Sequence, residues 1–196
     1  ACPEQRAVRW GSSELVNWTN SDGLALQGYL VKPEGFDPKK KYPMMVYFYE
    51  RNAHKVHSYV RPTPGTSPNA AYYVSNGYLW FVLDIVYTEG YPGESAEKCV
   101  NSGVQHLIAK VLVNKKAIGM AGHSWGGYQT AHLATRSNLF AAAESGAPVS
   151  NMFSAYGGIR YQTGMSRQFQ YEKTQSRIGG TPWEYPQRYW QNSPVF

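Results

Sequence analysis

Apolar and polar residues alternate along "ELVNWTNSDGLALQGYLVKP", and the alternation is interrupted at Asn20-Ser21-Asp22-Gly23. A period of two on either side of such a turn signal predicts a β-hairpin over residues 14–32, which Pro33 ends. Two later runs, "PMMVYFY" at 43–49 and "YLWFVLDI" at 78–85, are almost continuously apolar. That pattern predicts strands covered on both faces of a parallel sheet. "NAAYYVSNG" between them predicts a short helix closed by Gly77.

Further along, the period lengthens. In "SAEKCVNSGVQHLIAKVLV", Val100, Val104, Leu107, Ile108 and Val111 fall on one helical face, with Glu94 and Glu97 towards the positive N-terminal end. "AIGMAG" predicts a short strand, "GGYQTAHLATRS" a helix and "LFAAAESGAPV" another strand. Strands alternating with helices predict an α/β fold with a doubly wound, mostly parallel sheet preceded by an antiparallel hairpin. Residues 151–196 carry little periodicity and several turn residues, which predicts loops and short helices lying over the sheet.

The 196 residues, 42% hydrophobic and 16% charged, are enough for one domain with a substantial core. The formal charge of +6 is spread out, with "KKK" at 39–41 the only local run, in a segment that reads as a solvated turn. Nucleic-acid binding is therefore not expected. There is no apolar run of about 18 residues, so no membrane-spanning helix is expected, and the first residues lack a signal-peptide stretch. Cys2 and Cys99 are too few for a disulfide framework. They leave the compartment open between cytoplasmic and periplasmic or extracellular.

The chemistry lies in Gly122-His123-Ser124-Trp125-Gly126, a G-x-S-x-G stretch between a predicted strand and a predicted helix. This is the sequence of a nucleophile elbow, in which a serine is held in a strained backbone conformation at the strand-to-helix turn. The flanking glycines let strand and helix approach without clashing Cβ atoms. The turn also aims the Trp125 backbone N–H at the place where negative charge develops on a substrate carbonyl. Ser124 is thus the candidate nucleophile and Trp125 a candidate oxyanion donor.

With "SDGLALQGYLVKPEGFDPKKKYPMMVYFY", "GHSWGGYQT" and "AAAESGAPVS" in view, the chain resembles the α/β-hydrolase catalytic domain of the prolyl oligopeptidase family of serine peptidases. The dipeptidyl-peptidase and acylaminoacyl-peptidase branches are the nearest. In the dipeptidyl-peptidase branch a tyrosine just after the strand that follows the hairpin donates its hydroxyl to the oxyanion, and Tyr49 holds the matching place. A phenol suits this as a neutral donor at pH 7. Where family members follow the tyrosine with a glycine-containing turn, this chain has Glu50-Arg51-Asn52. Val149, Tyr156 and Trp125 are candidates for a small apolar specificity pocket.

In α/β-hydrolases the triad runs nucleophile, acid, histidine along the chain. Downstream of Ser124 there is no aspartate, and the only histidine is His132. Eight residues along a helix is about 12 Å, too far for a hydrogen bond to Ser124. His123 adjoins the serine but points away from it at such an elbow, and His54, His57 and His106 precede it. His54 and His57 lack a third ligand for a metal and read as a solvated loop. Glu144 lies near the end of the next strand, where a structural hydrogen bond or ion pair is expected.

The domain that the chain resembles continues for two more strand-helix units, which carry its aspartate and histidine. The expectation is therefore a partial α/β-hydrolase domain over residues 1–196, inactive alone, that binds a peptide substrate and associates with the missing C-terminal part or with itself. Serine acyl transfer requires no cofactor, and no phosphate loop or metal cluster appears. A carboxylesterase on the same scaffold, or a non-catalytic associating fragment, are the alternatives.

Overall fold

The computed structural model describes residues 3–7, 9–110 and 113–196; Cys2 and Val111 lie outside them. Two antiparallel strands, β1 (Ser12–Thr19) and β2 (Ala25–Lys32), open the fold, and their register runs from Ser12 opposite Lys32 to Thr19 opposite Ala25. The turn closes on the side chain of Asn20, whose Oδ1 accepts the N–H groups of Asp22 and Leu24 at 3.0 and 2.9 Å. This is the Asx-type punctuation that makes Asn a turn residue.

Four more strands complete the sheet: β3 (Tyr42–Phe48), β4 (Leu79–Leu83), β5 (Val113–His123) and β6 (Ala142–Gly146). The order is β1-β2-β4-β3-β5-β6, with β2 antiparallel to β4 and every later pairing parallel. Helix α1 (Ala70–Ser75) links β3 to β4, α2 (Pro92–Lys110) links β4 to β5, and α3 (Trp125–Ala134) links β5 to β6. The expected α/β architecture, mostly parallel behind an antiparallel hairpin, is the one observed.

The principal core lies between the sheet and helices α2 and α3. Phe48, Phe81, Leu83, Val100, Val104, Leu107, Ile118, Met120 and Leu133 meet there, all essentially without solvent contact. The opposite face is covered less completely. α1 packs Val74 against Trp80 and Val82, and Tyr73 and Tyr47 each stack with Trp80 at ring separations of 5.7 and 5.8 Å.

Coverage on this second face corrects one expectation. β4 is buried at every position, but β3 alternates, with Met44, Val46 and Phe48 buried and Met45 and Tyr47 only half-buried. An apolar run reports which side chains a strand carries, whereas burial depends on which helix reaches it, and α1 packs on β4. β5 is longer than its apolar portion predicts, because Val113–Lys116 extend it to pair Val113 with Tyr42. α2 starts three residues early, at Pro92, a residue suited to the first turn of a helix because its missing N–H has no intrahelical partner.

Residues after β6 form α4 (Met152–Tyr156), a two-stranded hairpin of β7 (Ile159–Arg160) and β8 (Met165–Ser166), α5 (Gln168–Glu172) and α6 (Pro186–Gln191). This segment has a core of its own. Met152, Tyr156, Tyr171, Ile178 and Tyr189 close on Trp125 and Tyr128 of α3, with Tyr49, Tyr87 and Val149 at the margin. The segment therefore packs beside the start of α3, which is where the candidate chemistry sits.

Candidate active site

Strand order places the site before any side chain is considered. β3 and β5 are neighbours, yet the chain leaves β3 towards β4 and leaves β5 towards β6, on opposite sides. Where outgoing connections diverge, a crevice opens at the carboxyl ends of the strands, the usual binding position in open α/β sheets. Tyr49 directly follows β3 and Ser124 directly follows β5.

Ser124 adopts φ 59° and ψ −111°, one of three non-glycine residues with positive φ among those described. Such a conformation costs roughly 1–3 kcal/mol and persists only where the surroundings impose it. Here they do. The Ser124 N–H donates to Gly146 O at 2.7 Å, and its carbonyl accepts the Tyr128 N–H at 3.0 Å, so β6 and α3 grip the residue from both sides. Its side chain remains exposed.

The glycines around it are required by proximity. A Cβ on Gly122 would lie 2.3 Å from Gly126 O, one on Gly126 2.5 Å from Phe48 O, and one on Gly127 2.3 Å from Gly146 O. Each clash is with backbone, so α3 starts in contact with β3, β5 and β6 simultaneously. The same approach brings the Tyr49 ring near the helix start, with its Cδ2 3.6 Å from the Cβ position of Gly126.

Trp125 opens α3, so its backbone N–H is among those without an intrahelical acceptor. Its indole is buried, stacks on Tyr128 at 4.4 Å and donates to Tyr87 Oη at 3.0 Å. The side chain therefore belongs to the packing beneath the site, while the backbone faces the turn. Tyr156 ends α4 and is also buried, its hydroxyl donating to Glu172 Oε1 at 2.7 Å. Burial, together with the adjacent carboxylate, pushes its phenol up to about 12. Val149 is half-buried at the edge of the same cluster.

The turn after Tyr49 is held rigidly without glycine. Asp84 Oδ1 accepts the N–H groups of Asn52 and Ala53 at 2.5 and 2.8 Å, and the Glu50 carboxylate pairs with Arg177 at 3.1 Å. Three residues not singled out from the sequence complete the surroundings. Tyr87 donates from its hydroxyl to Tyr49 O at 3.2 Å and accepts from both Trp125 and Gln129. Burial pushes its phenol up, so it stays a neutral donor. Gln129 donates to Tyr49 O at 2.9 Å from a fully buried position on α3, a polar residue inside an apolar helical face that is the one sequence signal available for it. Gln175 donates from Nε2 to Tyr49 Oη at 2.8 Å, 126 residues away along the chain, and nothing local marks it.

His132, His54 and His57 stand apart from the serine turn, whereas His123 Nδ1 and Glu144 Oε1 both lie beside Gly146, 3.0 and 3.1 Å from its Cβ position. His132 is buried within α3, where its ring fills the space a Cβ on Gly93 would need; burial, with Arg136 adding to it, lowers its imidazole to about 4. His54 and His57 are exposed, and no metal-binding cluster exists among the described residues. Glu144 is exposed on β6, where its backbone pairs with Ala121, and its side chain makes no hydrogen bond or ion pair among the described residues, contrary to the structural pairing expected of it. Its Oε1 stands beside Gly146, and no described residue donates to it there.

The family model of the prolyl oligopeptidase family matches residues 66–196, two thirds of the chain, and spans α1 to α6 with the Ser124 turn between them. The chain belongs to the prolyl oligopeptidase family. Among relatives of this family, human dipeptidyl peptidase 8 is 25% identical over 186 residues, covering 85% of this chain and 19% of that protein. The chain thus spans about a fifth of the length of the curated relatives it matches. Among solved structures, the acylaminoacyl peptidase of Pyrococcus horikoshii superposes with a TM-score of 0.69 at 18% identity, over 97% of this chain and 30% of that one. Dipeptidyl peptidase 4 of Porphyromonas gingivalis gives 0.68 at 23% identity, over 98% and 26%. Both likenesses show the prolyl oligopeptidase-family fold. No helix among the described residues is long and apolar enough to cross a membrane.

Proposed function

We propose that this chain carries the nucleophile and the oxyanion-binding groups of a serine peptidase that hydrolyses short peptides through an acyl-enzyme. The observation that carries the reading is Ser124: an exposed serine held at positive φ on a strand-to-helix turn, at the divergence of β3 and β5. Ser124 Oγ attacks the scissile carbonyl, and the developing oxyanion is met by the Trp125 N–H and the Tyr49 hydroxyl. Val149 and Tyr156 border the place of the residue whose carbonyl is attacked.

The base and its acidic partner come from outside these 196 residues. His132 is the only histidine after Ser124, and it is buried against Gly93 of α2, eight residues along α3 from the serine. Without a base the serine hydroxyl stays neutral, and loss of a triad member typically lowers the rate by several powers of ten. Residues 1–196 alone are then expected to show negligible turnover, and to act joined to the remainder of the domain.

Turnover of alanine- and proline-linked aminoacyl nitroanilides, compared with a short nitrophenyl ester on the full-length protein and its Ser124→Ala variant, tests the reading. Anilide cleavage that is lost in the variant supports a peptidase. Ester cleavage without anilide cleavage assigns the site to carboxylesterase chemistry instead.

A further inference from the structure

Tyr49 is tied to the hairpin after α4 by a directed row of hydrogen bonds. Arg160 Nη2 donates to Gln170 Oε1 at 2.8 Å, Gln170 Nε2 donates to Gln175 Oε1 at 3.2 Å, and Gln175 Nε2 donates to Tyr49 Oη at 2.8 Å. The direction is fixed by chemistry. A guanidinium has donors only, so it must face the carbonyl oxygen of Gln170, which turns the Gln170 amide towards Gln175. Gln175 then presents its own oxygen to Gln170 and its N–H to the phenol. At the end of the row the Tyr49 oxygen is an acceptor, and no described residue accepts its proton.

The geometry points to Gln175 as a positioning residue that keeps the Tyr49 proton turned away from the protein and available to the oxyanion. This rests on the reading above in which the Tyr49 hydroxyl serves that oxyanion. Two effects act together. Occupying the phenol oxygen with a donor leaves the O–H only outward acceptors, and a row of bonds headed by a cation polarises each member, strengthening the last donor. The loop that carries Gln175 is itself fixed: Arg177, at φ 51°, spans Glu50 and the ring face of Tyr87, 4.4 Å from its centroid, and donates to Gln175 O. The short hairpin, α5 and this loop thus serve to position Tyr49, a role that their weak sequence signal conceals.

The test is Gln175→Glu in the full-length protein. A carboxylate only accepts, so it keeps the tie to Tyr49 but reverses its direction and takes the phenol proton. A purely structural tie survives this change; an orienting one does not. With an alanine-linked nitroanilide, Tyr49→Phe is expected to lower kcat about 100-fold, the usual effect of removing one oxyanion donor, with KM little changed. Gln175→Glu is expected to approach the same loss, and Gln175→Met, which removes the donor and keeps the shape, to lose several-fold. The Tyr49→Phe, Gln175→Glu double variant should match Tyr49→Phe alone. Thermal melts accompany each variant, and Gln175→Met decides the matter if the glutamate variant melts early. Full kcat in both Gln175 variants beside a deficient Tyr49→Phe overturns the role of Gln175, as does an additive double variant. Full kcat in Tyr49→Phe overturns the underlying reading of Tyr49, and with it this one.

Discussion

Substituting Gly126 by alanine sets two known effects against each other. Alanine favours a helix over glycine by up to about 1 kcal/mol, and Gly126 lies in the first turn of α3. The added Cβ, however, would stand 2.5 Å from Phe48 O, where ordinary contact begins at 3.4 Å, so helix and strand must separate by about 0.9 Å. The opposing atom is backbone of a buried strand and has no rotamer to yield. Forced overpacking of this kind costs roughly 3 kcal/mol at the upper end of its usual range. The clash wins by about 2 kcal/mol, which for a chain of this size lowers the melting temperature by roughly 4–8 °C. Because the displaced turn carries Ser124, kcat is expected to fall by up to about 100-fold as well.

Thermal unfolding of residues 1–196 followed by tryptophan fluorescence measures the first effect, and nitroanilide turnover by the full-length protein the second. Gly157→Ala is the control: its φ is −74°, and a Cβ there meets nothing closer than 3.9 Å. That variant should melt at the wild-type temperature or slightly above it, since restricting the unfolded chain contributes about 0.4–1 kcal/mol. A Gly126→Ala protein that melts no lower than the Gly157→Ala control would refute the reasoning that close approach, not turn flexibility, fixes this glycine.

Other outcomes follow from the same contacts. Asp84→Ala removes the acceptor of two N–H groups in the turn after Tyr49; about 2 kcal/mol of stability should be lost in urea unfolding, with kcat lowered alongside. His132 is neutral in the fold and its imidazole is lowered to about 4, whereas an unfolded histidine titrates near 6.5. The unfolded chain therefore binds more protons between those values, so stability present above pH 6.5 is lost as pH falls towards 4. Unfolding measured at pH 7 and pH 4.5 should show this loss, and His132→Gln should reduce it.

How much of this the sequence discloses depends on whether a feature is local. The hairpin over 14–32, the alternation of strand and helix and the strained turn at Ser124 all rest on residues within a few positions of one another, and each appears where the pattern puts it. Features that depend on distant partners do not. Half-burial of Met45 and Tyr47 reflects the reach of α1, and Val113–Lys116 extend β5 to where Val113 pairs with Tyr42. Residues 151–196 read as loops and short helices, and the helices are there. Their buried aromatic core with Trp125 and Tyr128, and the link from Gln175 to Tyr49, join segments far apart in the chain and have no periodic signature. The structural pairing expected of Glu144 likewise depends on which side chains reach β6, and none of the described ones pairs with it.

The central claim is that Ser124 is an activated nucleophile. Treating the full-length protein with a fluorophosphonate and mapping the adduct by peptide mass tests it directly. The account predicts a single phosphonyl group on Ser124, absent from Ser124→Ala and absent from residues 1–196 alone, where no base is supplied. A full-length protein that hydrolyses peptides yet leaves Ser124 unlabelled, or that is labelled equally in the Ser124→Ala variant, would contradict it.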